Sequence, residues 1–243
     1  MISCSLLVDG MIKAIFFDLH GTLAYFYPPR HEIHAIAARD CGINVESEAI
    51  KKALPSADKL WESTLIDQGR EVKTEKEKVT AGTLYEQELL RKCGVEVTRE
   101  LAARIIDKFW KLMTHFLPYE DSIPTLKSLK NRGLILGVLT NMAGGDINTI
   151  CKNLGFTSYL NIAVSSEEVG SGKPDAPIFL AALERANVKA DEVMYVGDQY
   201  KLDVLGARGV GMKPVLLDRD NATPEITDCP RIQSLSQIVD LLS

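Results

Sequence analysis

A run of apolar residues that ends abruptly in an aspartate is the strongest constraint on this chain. Residues 14–17 read Ala-Ile-Phe-Phe, and they are followed by Asp18 and then by Leu-His-Gly-Thr, ending at Thr22. A short apolar run bounded by a polar segment with a glycine is typical of a buried strand followed by a tight turn. Such a strand would present the Asp18 carboxylate at its carboxyl end.

Further strand candidates follow in the second half of the chain, separated by segments of helical periodicity. Together with the first, the predicted strands are 13–17, 134–139, 161–165, 193–196 and 214–217. The predicted helices lie near 122–132, 145–154, 175–186, 200–208 and 234–242, with Gly133 placed to end the first of them. Near-continuous apolar strands that alternate with helices favour a parallel sheet covered on both faces, so the predicted fold class is α/β.

More than a hundred residues without a strand pattern separate the first two predicted strands. Helical periodicity is found near 31–41, 46–54, 56–68, 74–93 and 98–116, and Thr98 is suited to cap the last of these helices. A parallel crossover needs only one helix, so we predict an inserted helical cap domain. The predicted core comprises 11–24 and 117–243, the cap 25–116, and an N-terminal extension 1–10, with Met11 as an alternative start.

Composition excludes several classes of function. The chain has 243 residues and a formal net charge of −5, and no run of basic residues is interleaved with aromatic ones, so we expect no nucleic-acid partner. No apolar run approaches the roughly 20 residues that span a bilayer, so we expect no membrane insertion. The five cysteines are scattered without a CxxC pair, which is typical of a reducing compartment and predicts a cytoplasmic protein.

Polar residues occur where the predicted strands end and before one of the helices. They are Asp18, Thr140 with Asn141, Lys173, and Asp198 with Asp203. Open α/β sheets bind ligands at the carboxyl ends of their strands. An aspartate there can attack phosphorus or carbon, and attack on a phosphate dianion needs a divalent cation and fixed positive charge. Aspartate oxygens suit Mg²⁺, a lysine can neutralise phosphate charge, and threonine and asparagine can donate hydrogen bonds.

These motifs, in this order, resemble those of the haloacid dehalogenase superfamily, in the group with a helical cap inserted after the first motif. The matching segments are Asp18-Leu-His-Gly-Thr22, Thr140-Asn141, Lys173-Pro174, and Gly197-Asp198 with Asp203. The resemblance covers nearly the whole chain beyond residue 11. It implies a Rossmann-like sheet of strand order 5-4-1-2-3 and a hydrolase that acts on a small phosphorylated metabolite. The sequence leaves the oligomeric state open between a monomer and a homodimer.

The resemblance also implies a role for each site residue. Asp18 is the nucleophile that forms a phospho-aspartyl intermediate, and His20 and Lys173 complete the catalytic group. The implied ligands of Mg²⁺ are Asp18, the backbone carbonyl of His20, Asp198 and Asp203. The residues implied to bind the phosphoryl group are Thr22, Thr140, Asn141 and Lys173.

His20 departs from the family pattern and leaves alternatives open. Phosphatases of the family usually carry a second aspartate there, as general acid and base. A histidine can shuttle protons near neutral pH, but a nearby Mg²⁺ would disfavour its protonated form. The alternatives are a metal-free 2-haloacid dehalogenase, a phosphonatase that uses Lys51, Lys52 or Lys59 of the cap, and a silent member that binds a phosphometabolite or a protein.

The remaining conspicuous residues are predicted to be structural. His31 and His34 share a helical face and are predicted to be surface or hinge residues. The aromatic residues predicted to pack in the cap core are Trp61, Phe109, Trp110 and Phe116. Arg30 is predicted to lie on a solvated face.

Overall fold

The computed structural model describes residues 11–65, 75–113, 115–142 and 146–242. The chain divides into two compact units, which we call the sheet unit and the helical unit. The sheet unit comprises the described residues up to Tyr25 together with those from Phe116 onward, and the helical unit is Phe26–His115.

The described strands and helices are numbered in chain order. The strands are β1 (Ala14–Asp18), β2 (Ala24–Phe26), β3 (Phe116–Pro118), β4 (Ile135–Thr140), β5 (Ile162–Ser165), β6 (Val193–Gly197), β7 (Lys213–Leu217) and β8 (Arg231–Ile232). The helices are α1 (Arg30–Asp40), α2 (Ser47–Leu65), α3 (Glu75–Lys92), α4 (Arg99–Leu112), α5 (Ser122–Asn131), α6 (Ile147–Asn153), α7 (Ser166–Val169), α8 (Ala176–Ala186), α9 (Leu205–Gly209) and α10 (Ile238–Leu241). None of these described helices is both long and apolar enough to cross a membrane.

The main sheet has the order β5-β4-β1-β6-β7-β8. Its neighbouring strands pair in parallel throughout. The predicted order 5-4-1-2-3 is therefore confirmed, because the predicted strands are β1, β4, β5, β6 and β7 in chain order. The two-residue strand β8 extends the edge beside β7, and it is too short to leave a periodic pattern in the sequence.

Strand β1 lies at the centre of the sheet, and all five of its residues are buried. Ile15 and Phe17 belong to one apolar cluster, and Ala14 and Phe16 belong to another. Side chains alternate between the two faces of a strand, so both faces of β1 are covered. Full burial of a large apolar side chain is worth roughly 1.5–3 kcal/mol, so this strand is a rigid support for Asp18 at its end.

In the helical unit, α1 and α3 each pack against both α2 and α4. Thr98 caps α4 as predicted, because its hydroxyl accepts a hydrogen bond of 3.2 Å from the Leu101 amide. The predicted break between 46–54 and 56–68 is wrong, since α2 runs through Pro55. Pro55 is exposed, so water can satisfy the carbonyl that loses its partner, while Ala53 and Ala57 stay buried. Residues 66–68 lie outside the described residues.

Other element boundaries also differ from prediction. Helix α4 ends at Leu112 rather than near residue 116, and β2 and β3 form a separate two-stranded sheet. These three-residue strands are too short for a period-2 pattern. The predicted helix 200–208 is a π-helical turn, Tyr200–Val204, followed by α9. Predicted residues 74, 114 and 145 lie outside the described part of the chain.

Candidate active site

The carboxyl ends of three central strands carry the first polar residues of the site. Strand β1 ends in Asp18 and β4 in Thr140, and Asp198 follows Gly197 at the end of β6. Parallel pairing of β1 with both β4 and β6 brings these ends to the same edge, with Asp18 opposite Leu139.

Lys173 lies at the centre of the site, and its side chain is buried. Its Nζ atom is 2.5 Å from Asp18 Oδ1 and 2.7 Å from Asp203 Oδ1. Asn141 fixes the backbone of Lys173 from both sides. Its Oδ1 accepts a hydrogen bond of 2.6 Å from the Lys173 amide, and its Nδ2 donates one of 2.8 Å to the Lys173 carbonyl. Asn141 thus sets the position from which the ammonium group bridges two carboxylates.

Asp203 lies in the π-helical turn after β6 and is fully buried. Its Oδ1 accepts a hydrogen bond of 3.2 Å from the Tyr195 hydroxyl, and its Oδ2 one of 3.0 Å from the Gln199 amide. A Cβ atom on Gly197 would lie 2.2 Å from Asp203 Cγ, so only glycine leaves room for this carboxylate. Tyr195 is not among the residues predicted for the site, although a tyrosine in an otherwise apolar strand is a signal that could have indicated it.

The turn after β1 is closed by backbone hydrogen bonds. The amides of Leu23 and Ala24 donate to the Leu19 carbonyl at 2.9 and 2.8 Å, and the Gly21 amide donates to Ala24 at 2.8 Å. His20 is half-buried, and its backbone forms a bridge with Ala24. These hydrogen bonds close the turn on Leu19, the residue that follows Asp18.

Two residues of this turn approach Asp198. Gly21 has a φ of +87°, and a Cβ atom there would lie 2.3 Å from Asp198 Oδ2. Thr22 is fully buried, and its hydroxyl donates a hydrogen bond of 3.5 Å to Asp198 Oδ1. The close approach of Gly21 and the hydrogen bond from Thr22 therefore restrict the position of the Asp198 carboxylate.

Thr140 is buried at the end of β4. Its hydroxyl accepts a hydrogen bond of 3.2 Å from the Met142 amide, which orients the side chain and leaves its O–H proton to be donated elsewhere.

Burial and mutual repulsion alter the titration of these groups. Burial, with a smaller contribution from Asp203, raises the pKa of Asp18 to about 6, although Lys173 opposes the shift. Burial, followed by Asp18 and Asp203, holds the pKa of Asp198 well above its ordinary value. Burial alone would lower the pKa of Lys173, but Asp18 and Asp203 raise it overall, so the lysine is a cation. Three neighbouring carboxylates therefore share one positive charge.

The carboxylates fit a divalent metal ion. Asp18, Asp198 and Asp203 each offer an oxygen atom, and these atoms all lie within 4.8 Å of one another. Asp18 Oδ2 is buried and has no hydrogen-bond partner among the described residues. An unpartnered buried carboxylate oxygen is costly unless a cation or another donor completes it, and closely spaced carboxylates are the ligands of hard divalent cations.

The helical unit contradicts several predictions about single residues. His34 is not at the surface, since it is fully buried, with Nδ1 at 2.9 Å from Glu86 Oε2 and its ring stacked on Phe109 at 3.9 Å. The prediction failed because burial depends on which helix face is covered. Arg30 is not simply solvated, since its guanidinium donates to Asp58 at 2.7 Å and to Tyr85 at 2.7 Å.

Of the four aromatic residues predicted to pack in the cap core, Phe109 is buried as predicted. Trp110 is half exposed, at 50%. Phe116 packs against the apolar core of the sheet unit. Trp61 is half-buried and forms a T-shaped ring contact with Tyr85, with the ring centroids 5.9 Å apart. Among the described thiols, burial raises the pKa of Cys151 to about 11, which disfavours its thiolate.

Comparison with known proteins identifies the family of this chain. The family model of the haloacid dehalogenase-like hydrolases matches residues 12–211. The chain belongs to the haloacid dehalogenase-like hydrolase family. This membership confirms the resemblance seen in the motifs, and it makes the protein a hydrolase of a family whose members generally use a divalent metal.

Individual members of the family are similar to this chain over most of their own length. A ribulose-1,5-bisphosphate 5-phosphatase of Halopiger xanaduensis is 28% identical over 96% of this chain and 100% of its own. A glyceraldehyde 3-phosphate phosphatase of Methanopyrus kandleri is 32% identical over 86% of this chain and 85% of its own. The fold matches that of a candidate HAD-hydrolase of Bacillus subtilis, YfnB, with a TM-score of 0.74, 18% identity, and coverage of 96% and 99%.

Proposed function

We propose that this protein is a Mg²⁺-dependent phosphatase that hydrolyses a small phosphate monoester through Asp18. The observation that carries the proposal is the buried Lys173, which contacts both Asp18 and Asp203 while a third carboxylate, Asp198, lies beside them. Relatives named as phosphatases of ribulose 1,5-bisphosphate and of glyceraldehyde 3-phosphate support it. Their names favour a small phosphorylated metabolite as the substrate.

Asp18 is the proposed nucleophile. Lys173 holds its Oδ1, whereas its Oδ2 has no partner in the described part of the chain. A carboxylate oxygen of Asp18 forms a bond to phosphorus, the bond from phosphorus to the ester oxygen breaks, and the alcohol leaves with a proton. Water then hydrolyses the acyl phosphate, which restores Asp18 and releases inorganic phosphate.

The proposed metal ligands are Asp18, the backbone carbonyl of His20, Asp198 and Asp203. A bound Mg²⁺ would supply positive charge that offsets the repulsion between the carboxylate and the phosphate dianion. Lys173, Thr140 and Asn141 are proposed to face the phosphoryl group. Thr22 is fully buried against Asp198, which favours a role in orienting that carboxylate.

His20 is the proposed proton carrier. Protonated, it would give a proton to the leaving alcohol, and neutral, it would take one from the hydrolytic water. If this is right, His20→Asn lowers kcat and removes one ionisation from the pH profile of kcat. If the protein is instead a silent member, His20→Asp creates phosphatase activity that the wild type lacks.

The decisive experiment is an assay of phosphate release with and without Mg²⁺. The substrates are p-nitrophenyl phosphate, glyceraldehyde 3-phosphate and ribulose 1,5-bisphosphate, with EDTA in the metal-free arm. We expect Mg²⁺-dependent release that Asp18→Asn lowers by about a thousandfold or more, since removal of a nucleophile costs at least this much. Asp228→Asn is a matched control, because this carboxylate pairs with Arg208 at the surface.

Other outcomes would replace the proposal. Release that does not depend on Mg²⁺ or survives Asp18→Asn would contradict it. Chloride release from 2-chloropropionate without metal would indicate a dehalogenase, although that reaction does not need the cluster of three carboxylates. Absence of both reactions would indicate a silent binding protein. A cytoplasmic location and a monomeric or homodimeric state are part of the proposal, and both are open to direct measurement.

A further inference from the structure

Arg219, which no motif of the sequence singled out, reaches the turn that begins at Asp18. It follows β7 by two residues, and its Nη2 atom donates a hydrogen bond of 2.8 Å to the Thr22 carbonyl. We propose that Arg219 is a positioning residue that holds the Asp18–Ala24 turn in its reactive geometry. This proposal rests on the function proposed above.

The guanidinium group of Arg219 is itself held on one side by Asp121. The pair is bidentate, with Nη1 at 2.9 Å from Oδ2 and Nη2 at 3.0 Å from Oδ1. Asp121 also accepts hydrogen bonds of 2.8 Å from the Ser234 hydroxyl and 2.9 Å from the Leu235 amide. A planar fork bound to an oriented carboxylate has little freedom, so the remaining Nη2 proton has a defined direction.

Tyr119 holds the flat face of the same guanidinium group. The Cζ atom of Arg219 lies 3.9 Å from the centroid of the tyrosine ring, which is a cation–π contact. The Tyr119 amide in turn donates to the Leu23 carbonyl at 3.1 Å, and the Ser122 hydroxyl donates to the same carbonyl at 2.7 Å. One short segment, 119–122, therefore fixes both the arginine and the end of the turn.

The carbonyls of the turn need these donors. Thr22 and Leu23 are both fully buried, so a carbonyl without a partner there would carry a desolvation cost. Leu23 has two donors for its carbonyl, whereas Arg219 is the donor that the described residues supply to Thr22. Loss of the arginine would release the centre of the turn and leave its end attached.

Movement of the turn would disturb Asp18 at its start and Asp198, which the central residues of the turn approach. Asp18 begins the turn, and Gly21 and Thr22 are the residues that approach Asp198. A displacement of about 1 Å at a reacting group can lower the rate a hundredfold. Arg219 would therefore affect catalysis without touching the substrate.

The chain offers a matched control for a purely structural role. Arg185 makes similar hydrogen bonds outside the turn, because it forms a bidentate pair with Glu168 and donates to the Ala163 carbonyl at 3.1 Å. Removal of either arginine deletes one bidentate pair and one bond to a carbonyl, and removal of Arg219 also deletes the contact with the Tyr119 ring. Only Arg219 is connected to the turn that holds Asp18.

The test compares Arg219→Met, Arg219→Lys and Arg185→Met, each checked for folding by circular dichroism. With p-nitrophenyl phosphate and Mg²⁺, we expect Arg219→Met to lower kcat by about 10- to 100-fold with little change in KM. Arg219→Lys, which keeps the charge but not the fork, should be intermediate and serves as the test if Arg219→Met does not fold. Arg185→Met should retain the wild-type kcat. Equal losses in Arg219→Met and Arg185→Met, or a normal kcat in both Arg219 variants, would overturn the proposal.

A second measurement does not depend on turnover. Hydrogen exchange of the Gly21, Leu23 and Ala24 amides reports directly on closure of the turn. We expect exchange at these amides to be about tenfold faster or more in Arg219→Met and unchanged in Arg185→Met, and unchanged exchange in Arg219→Met would refute the positioning role. If the wild type shows no phosphatase activity, the proposed function fails, and this exchange experiment still decides whether Arg219 holds the turn.

Discussion

The sheet unit and the helical unit both bring ionisable side chains into contact, but they balance acidic and basic groups differently. In the sheet unit, Asp18, Asp198 and Asp203 lie close together, and the Lys173 ammonium contacts two of them, Asp18 and Asp203. In the helical unit, Arg30 pairs with the single carboxylate of Asp58, and the buried His34 lies against Glu86. The Arg30–Asp58 pair joins one cation to one carboxylate, whereas the sheet cluster has more acidic than basic groups.

The difference in charge balance indicates that the ionisable groups of the helical unit serve packing, whereas those of the sheet cluster serve chemistry. A buried charge without a partner costs several kcal/mol, so folding alone would not favour an unbalanced cluster. The raised pKa of Asp18, to about 6, and the raised pKa of Asp198 are consequences of burial and of this imbalance. The rigid sheet holds the excess of carboxylates in place, and a cation from solution is what would complete them.

The largest expected effect comes from removal of the cation of the sheet cluster. Lys173→Met leaves Asp18 and Asp203 buried without their shared partner. We expect it to lower the free energy of unfolding by about 3–5 kcal/mol and to abolish phosphatase activity. Urea unfolding and the phosphate-release assay measure the two effects.

The helical unit provides the contrast for this variant. Replacement of both members of its buried pair, in His34→Phe with Glu86→Leu, leaves no charge unpaired. Apolar replacement of a buried pair is often neutral or stabilising, so we expect the free energy of unfolding to be maintained or to rise by about 1–4 kcal/mol. If the double variant is destabilised as much as Lys173→Met, the contrast between the two units is wrong.

A smaller effect comes from two glycines with the same backbone conformation. Gly21 in the sheet unit and Gly42 in the helical unit both have a φ of +87°, but a Cβ atom on Gly42 would meet nothing within 4 Å. An alanine at either position carries about 1–2 kcal/mol of backbone strain. Gly21→Ala also displaces Asp198. We therefore expect this variant, and not Gly42→Ala, to need about tenfold more Mg²⁺ for half-maximal activity.

Titration of activity with Mg²⁺, alongside thermal unfolding, separates the two glycine variants. Gly42→Ala should lose stability and keep the wild-type Mg²⁺ dependence. A similar shift of the Mg²⁺ dependence in both variants would show that strain, rather than the approach of Gly21 to Asp198, is responsible.

The smallest expected effect concerns Asp121 and acid stability. Burial would raise the pKa of Asp121, but hydrogen bonds from Arg219, Leu235 and Ser234 lower it overall. Because the folded pKa is the lower one, the carboxylate stabilises the fold fully above its unfolded pKa of about 3.9, and this stabilisation is lost as pH falls through the folded value. Asp121→Asn should flatten the decline in urea midpoint below about pH 4. If the urea midpoint of Asp121→Asn declines with falling pH as it does in the wild type, Asp121 does not contribute to acid stability in this way.

Much of the fold and part of the site could be predicted because their signals are local. The apolar run that ends in Asp18 forms β1, and the strand that ends before Asp198 forms β6. Parallel strands bring their carboxyl ends to one edge, so polar residues at those ends were expected to meet. Lys173, Asp198 and Asp203 were predicted for the same site, and the structure brings them together.

What the sequence by itself determined is the set of buried strands and the polar residues at their ends, because strand periodicity and strand ends are readable within a few residues. Only the tertiary structure decided which distant groups outside those strand ends meet. Arg219 reaches Thr22 across 197 positions, and His34 faces Glu86 because α1 and α3 pack on shared neighbours. Such contacts depend on which face of an element is covered and on where a loop returns, and neither property is encoded in a local pattern.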